Sequence, residues 1–452
     1  MKYANECISS QLDLFTLPSL DTSLEEGSWI YLQQQIKDAQ NEIIFNIDQS
    51  EYLDLTSCML YVSVKIHKKL ESNNTTLTVD TPLDETAAIA PVNNFLHSFW
   101  KKVHVKIDTI DVEDTTSLYA YKEYILKILN TGHEEQGSLL SASCFYKDDG
   151  GQFENYEILT EEKREIGADT NKFVIKVPKT CNNGFINRRN LMMKGNGKFE
   201  MMGHLNLDIF GTNRLLLPKT PMQIKLFKNE DSFCLLGNDK QNYNIRIKDI
   251  KLRLKTVRVS DQVQAAHLAT LVRNPANYHV KKTEVKEFKC NTSGKKISQE
   301  ICKGRVPNII IFGLSNYAYK EKMNPFNFQN FNVRKVELNV GKLFLPYTYA
   351  LDVDYKTAHY LNGYISLFDT FTKPDIGNTV SREDYPNGYA LYGFNLQPSI
   401  NCSGDLVFLP KDEAVTVKIE FDGEPEDNFL DLICYLEYDK IIQIGSDRKV
   451  IP

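Results

Sequence analysis

The chain has 452 residues, enough for two domains with sizeable cores, and its 42% apolar and 25% charged residues are those of an ordinary globular protein. A net charge of −6 and a pI near 5.9 exclude a general affinity for nucleic acid or anionic membrane, so any polyanion contact must be local. The nine scattered cysteines, with no CxxC pair, exclude a zinc framework and read as free thiols in a reducing compartment; no charged-then-apolar leader is seen, and no apolar run reaches membrane-span length.

In chain order, residues 1–27 read as an N-terminal arm. The stretch "QLDLFTLPSLDTSLEEGS" (11–28) is bordered by Pro, Ser and Glu and has little core of its own. Its apolar anchors Leu12, Leu14, Phe15 and Leu17 are expected to order against a neighbouring subunit.

From there the dominant period is two. Strands are predicted at "NEIIFNI" (41–47), "MLYVSVKIHK" (59–68, with Leu60, Val62, Val64 and Ile66 on one face) and "KKVHVKIDTI" (101–110, with Val103, Val105 and Ile107 on one face). Others follow at "MMGHLNLDIF" (201–210), "MQIKLF" (222–227) and "NYNIRIKDIKLRLKTVRVS" (242–260). In the last, apolar parity shifts between Ile247 and Ile250, which predicts a bulge near Lys248 and Asp249. A second series begins after residue 275 with "VKEFKC", "NIIIFGL" and "VRKVELNVGKLFL" and continues with "GYALYGFNL", "AVTVKIEFDG" and "NFLDLICYLEYDKIIQIG". Helical period is confined to 117–130, 261–272 and 355–368, the last with Ala358, Leu361, Ile365 and Phe368 on one face.

The succession of element types repeats. "NNFLHSFWKKVHVKIDTIDVED", a helix, "MMGHLNLDIF", "LLLPKTPMQIKLF" and a long strand are answered by "NPFNFQNFNVRKVELNVGKLFLP", a helix, "YALYGFNLQP", "LVFLPKDEAVTVKIEF" and a long strand. Two copies of one all-β unit, each of eight short strands with a helix-bearing insertion, suit two tandem eight-stranded jelly rolls. Immunoglobulin-like repeats are shorter and lack such insertions. The expected division is an arm over 1–27, a first jelly roll over 28–259, a helical linker over 260–275 and a second jelly roll over 276–452.

Several segments carry a family resemblance. "EYLDLTSCMLYVSVKI", "APVNNFLHSFWKKVHVKID", "NPFNFQNFNV", "SREDYPNGYALYGFNLQPSI" and "YLEYDKIIQIGSDRKVI", in that order from about residue 10 to the C-terminus, resemble the double jelly-roll major capsid proteins of Polinton (Maverick) elements and adintovirus-like viruses. The resemblance implies a shell subunit that trimerises into a pseudo-hexagonal capsomer of a double-stranded DNA virus or virus-like element. It implies a place in the virion capsid, with synthesis in the host cytoplasm, assembly in host nucleus or cytoplasm, and penton and minor capsid proteins as partners.

The candidate residues fit architecture rather than chemistry. No phosphate loop, GxSxG elbow, HExxH or GxGxxG is found, and no cofactor is expected. His104 and His204 sit at solvent parity and His67 follows a strand, so all three read as surface residues rather than ligands or bases. His97 and Trp100 could form a binding pair, but a short helix docking Phe95 and Trp100 into the sandwich is preferred. In "SREDYPNGYALYGFNL" (381–396), Pro386-Asn387-Gly388 is turn chemistry launching a strand with Ala390, Tyr392, Phe394 and Leu396 on one face. Arg382, Glu383, Asp384 and Tyr385 are expected to lock a loop or form a subunit contact. Phe326, Phe328 and Phe331 of "NPFNFQNF" are candidates for a trimer contact, with the second core an equally good home.

Residues 172–198 hold seven Lys or Arg and no acid. The segment reads first as a solvated loop. The alternative places Arg188, Arg189, Lys194 and Lys198 against packaged DNA through phosphate charge, although no aromatic platform for bases accompanies them. Jelly rolls also serve as lectins and spike domains, so a carbohydrate- or receptor-binding protein is the alternative to a capsid subunit. A cupin-type metal enzyme would need convergent His and carboxylate ligands at inward strand positions, and none is evident.

Overall fold

The computed structural model describes residues 11–12, 14–15, 17, 20–35, 40–72, 75–78, 83–158, 161–166, 173–178, 180–317, 323–370, 377–398 and 407–451. Among the described residues of the first half, eight strands form the main paths of two large sheets, besides shorter ribbons: β1 (Leu24–Gln33), β2 (Glu42–Ile47), β3 (Tyr52–Ser72), β4 (Trp100–Ile107), β5 (Ile110–Asp114), β6 (Lys198–His204), β7 (Met222–Lys228) and β8 (Tyr243–Val259). They pair antiparallel in two sheets, in the orders β1-β8-β3-β6 and β2-β7-β4-β5. The second half supplies β9 (Ala276–Asn291), β10 (Lys296–Cys302), β11 (Ile309–Ser315), β12 (Val333–Val340), β13 (Leu343–Phe344), β14 (Leu391–Asn395), β15 (Val415–Phe421) and β16 (Phe429–Ile444). Their sheets run β9-β16-β11-β14 and β10-β15-β12-β13, the same order strand for strand. The fold is all-β, two tandem eight-stranded jelly rolls, and β6 and β14 hold equivalent edge positions.

The short helices α1 (Phe95–Ser98), α2 (Tyr119–Asn130), α3 (Asn183–Lys194), α4 (Asp261–Leu271) and α5 (Leu361–Ser366) lie between strands. α1 docks Phe95 into the core beside Trp100, both fully buried, because an apolar turn between a bridge and a strand has nowhere else to go. α4 connects the rolls with little of its own surface covered: only Leu271 is buried. The parity break in β8 is a register shift between Ile247 and Asp249, which keeps Ile245, Ile247, Ile250 and Leu252 all facing inward.

Alternation explains the interior. Val62, Val64, Val103, Val105, Ile224 and Leu226 meet between the first roll's sheets, while Phe312, Phe394, Val417 and Leu432 fill the second. The first core also extends outside its own roll. Ile309, Ile311, Leu391, Ile433 and Tyr435, on the outer face of sheet β9-β16-β11-β14, belong to it. That sheet is therefore covered on both sides, which is why "NIIIFGL" is a continuous apolar run.

Two segments depart from their sequence pattern. His67 does not trail into solvent: β3 runs on to Ser72, so His67 sits within the ladder opposite Asn244 and is 4% exposed. The helix expected over 355–368 is only Leu361–Ser366, and Ala358 takes φ +59° in the turn before it. Its inward side is small. Gly363 lies against the Tyr385 hydroxyl and Tyr392, and the Ser366 hydroxyl accepts from the Gly393 amide at 3.1 Å. This close approach turns Leu361, Ile365 and Phe368 outward, 48%, 44% and 38% exposed.

Candidate functional site

The two rolls are joined by a clamp built from their insertions. The loop at 324–328 enters the first roll, and Phe326 stacks on Tyr124 of α2, ring centroids 4.1 Å apart and planes 5° from parallel. Tyr121, one position short of a turn earlier, meets the same ring edge-on at 5.5 Å. Beside this, Asp148 is a buried hub. Its Oδ1 accepts from Arg188 Nη2 at 2.6 Å and Asn182 Nδ2 at 2.9 Å, and its Oδ2 accepts from Asn324 Nδ2 of the second roll at 3.2 Å. The Tyr389 hydroxyl donates to the Asp148 carbonyl at 2.6 Å. Arg188 is fully buried and spends its other N–H groups on the carbonyls of Pro91 and Tyr146. An ion pair this deep persists because each guanidinium nitrogen and both carboxylate oxygens have a partner.

The stretch 381–396 forms the second roll's side of the clamp. Asp384 accepts from Lys147 at 2.5 Å and from the Ser381 hydroxyl at 2.8 Å. Burial works against the ionised form, yet these bonds hold the Asp384 carboxyl below its ordinary value. The Tyr385 hydroxyl donates to the Leu391 carbonyl at 2.9 Å, and the Gly151 amide donates to Asn387 at 2.8 Å. Gly388, at φ +109°, lies against the Phe153 ring where a Cβ would collide with it.

A second junction is charged. Lys122 of α2 donates to Glu113 and Asp208, both at 2.8 Å, and the Thr283 amide of β9 donates to Asp208 at 3.0 Å. Burial alone would lower the Lys122 ammonium, but Glu113 and Asp208 outweigh it and hold the charge well above the ordinary range. One cation serves two carboxylates, so one acid is short of compensation: burial raises Glu113 to about 7 against the pull of Lys122. Glu437, on the same side of β16, is likewise raised by burial to about 7, with Lys281 opposing.

The predicted residues divide accordingly. Asp384 and Tyr385 stand in the clamp, while Arg382 and Glu383 are exposed beside it. Phe326 and Phe328 are fully buried between the rolls of one chain, so neither is free for a contact between chains; Phe331 is half-buried. Arg188 and Arg189 are not DNA-facing groups: α3 turns Arg188 onto Asp148 and Arg189 onto the carbonyls of Glu85 and Ala87. The segment around them is a helix rather than a solvated loop, capped by the Asn182 side chain, and only Lys194 and Lys198 of the four remain exposed. Lys172 and Lys179 lie outside the described residues. Lys147, Asp148, Tyr121 and Tyr124 had no signal in the sequence, because their partners lie far along the chain.

Apolar side chains remain on the surface at several places, three of which matter for contacts. The arm exposes Leu12, Leu14, Phe15 and Leu17 by 70%, 76%, 93% and 87%. α5 and the β12–β13 hairpin present Leu361, Ile365, Leu343 and Phe344. The edge strand β1 presents Trp29 and Tyr31, with the Arg253 guanidinium 3.6 Å above the Trp29 ring. Among the described residues no group of three or more His, Cys, Asp or Glu is placed to hold a metal, and no helix is long and apolar enough to cross a membrane. The seven described cysteines are free.

Compared with known proteins, this double jelly roll is the architecture of viral capsid proteins. It matches a chain of the Sputnik virophage with a TM-score of 0.62 at 10% identity, covering 99% of this chain and 92% of that one. The Faustovirus major capsid protein matches at 0.54 and 9% identity, over 96% and 93% of the two chains. The mavirus major capsid protein matches at 0.51 and 10% identity, over 99% and 94%. At such identities the likeness is one of fold. In sequence, the chain is 22% identical over 457 residues to the uncharacterized protein F54H12.2 of Caenorhabditis elegans, covering 96% of this chain and 99% of that protein. No family model matches the chain.

Proposed function

We propose that this chain is a major capsid protein that trimerises into pseudo-hexameric capsomers and builds an icosahedral shell around double-stranded DNA. The observation that carries this reading is the pair of topologically identical jelly rolls locked together within one chain. Each roll offers a similar corner, so three chains about a threefold axis give six corners, a tile that closes into a shell. A locked pair matters because a tile whose halves swivel cannot set a fixed curvature. The fold of the virophage and Faustovirus proteins supports the reading. So do the quoted sequence segments, which favour an affiliation with Polinton and adintovirus-like capsid proteins.

In this reading the arm over 1–27, the rolls over 28–259 and 276–452 and the linker over 260–275 are the working parts. α5, the β12–β13 hairpin and β1 supply subunit contacts. The partners are further copies of the chain, penton and minor capsid proteins and, through exposed Lys194 and Lys198, packaged DNA; the place is the virion, assembled in host nucleus or cytoplasm. Obligate interfaces of this kind bury about 2,000 Å2 or more.

Light scattering of purified protein is expected to report three times the 51.9-kDa chain mass, and negative-stain microscopy to show hexagonal particles or shells. A stable monomer at micromolar concentration, with nothing larger on raising salt or protein, overturns the reading. Glycan-array binding by such a monomer would favour a carbohydrate-binding jelly roll instead.

A further inference from the structure

The linker helix α4 roofs a cavity of about 550 Å3 where the first roll ends and the second begins. Its floor is Leu215, Leu217 and Val259, and its roof is Val263 and Leu271. The Tyr52 hydroxyl and His267 Nδ1, 2.7 Å apart, tie the roof to the wall, and Arg214 stands at the rim. Apolar walls, a few fixed polar groups and this volume are the marks of a binding site.

We propose that this cavity receives the N-terminal arm of a second copy of this chain, with Phe15 and its leucine neighbours seated among Leu215, Leu217, Val259 and Val263. The inference rests on the assembly reading above. The arm has what the cavity lacks: four large apolar side chains within six residues, each at least 70% exposed. Charge points the same way. Residues 3–36 contain no Lys or Arg but do contain Asp13 within the apolar run and Asp21 just beyond it. Arg214 lines the cavity rim, and Arg448, close enough to act on Tyr52 and Tyr278, has a buried Nη1 with no hydrogen-bond partner among the described residues. An arm carboxylate would complete it.

Geometry favours a neighbour's arm over the chain's own. Ser23 and Leu24 line the cavity, so the chain's own arm departs from its mouth, yet Leu17 and Leu20 point into solvent, 87% and 85% exposed. Outside the cavity, Leu268 and Val272 extend an exposed apolar track along α4, 55% and 77% exposed. An arm crossing between copies would cover both the cavity and this track.

The full chain carrying p-benzoylphenylalanine in place of Phe15 is mixed with unmodified 15N-labelled chain, irradiated and digested. The expected product joins an unlabelled arm peptide to labelled peptides containing residues 214–217 or 259–271. Val263→Trp, which fills the cavity from the roof, is expected to cut that product at least about tenfold, and Arg214→Glu, which gives up the bond to the Asn277 carbonyl at an exposed rim position, to reduce it with the melting transition retained. Products within one chain only, products elsewhere, no product, or a yield unchanged in Arg214→Glu overturn the inference. Microscopy of the same samples separates the two readings. Shells without the cavity product overturn the arm seat alone, and the cavity product without trimers or shells overturns the capsid reading alone.

Discussion

The long sheets of the two rolls have the same strand order and opposite surroundings. In the first roll, β8 alternates: Ile250, Leu252 and Leu254 face the core while Lys251, Arg253 and Lys255 face out, Arg253 beneath Trp29. In the second, β11 is buried at all seven positions and β16 from Leu430 to Asp439, because α2, the turn at 208–210 and the clamp cover the outer face. One topology thus carries two kinds of sheet. What differs is the covering, and the covering comes from the other roll. Two sandwiches of one topology are thus joined through one buried outer face.

The junction between the rolls is open to disruption at its anchors. Asp148→Ala removes the carboxylate paired with a fully buried guanidinium and is expected to cost about 3–5 kcal/mol, read by urea denaturation. A loss below about 1 kcal/mol would show that the clamp does not hold the rolls together. Ile311→Ala, on the covered outer face of β11, is expected to cost about 2–4 kcal/mol by the same measurement.

The junction's acids sharpen it through pH. Glu437 is raised from 4.5 to about 7 in the folded chain, so between those values the folded state holds the proton more tightly than the unfolded state. Its stabilising contribution is full below the unfolded value and is lost as pH rises through about 7; Glu113 acts in the same direction. The chain is therefore expected to be more stable at pH 5 than at pH 8. Glu437→Gln should shrink that difference by about 2 kcal/mol, and an unchanged pH slope in the variant would disprove the assignment. Carboxylates held low by hydrogen bonds, such as Asp384, titrate below this window. The smallest effect belongs to the open sheet: Lys251→Ala, on the outward face of β8, should change stability by no more than about 0.5 kcal/mol. A larger loss there would mean that the first roll's outer face is also structural.

Much of this was legible in the chain itself. Period-two runs marked most of the strands, the apolar parity break located the β8 bulge, and the repeated succession of element types foretold two rolls of one topology. These are local properties: alternation of side chains on a pleat and turn residues at fixed offsets are set by neighbours a few positions away. The clamp was half visible. Its Asp384 and Tyr385 drew notice for their residue types, but Lys147 and Asp148 stand more than 230 residues earlier and carry no pattern.

Where the local pattern misled, tertiary contact had overruled it. Arg188 and Arg189 belong to the most basic-looking segment of the chain, yet burial against Asp148 and backbone carbonyls makes them structural. Leu361, Ile365 and Phe368 form an apolar helical face, yet Gly363 and Ser366 bring the opposite face onto β14 and turn them to solvent. The chain's local pattern was enough to mark most of the strands, many of the turns and the repeat of the unit, since each depends on short-range geometry. Which sheet face is covered, which charges are buried and which apolar side chains stay exposed came from the folded arrangement, because those depend on contacts between residues hundreds of positions apart.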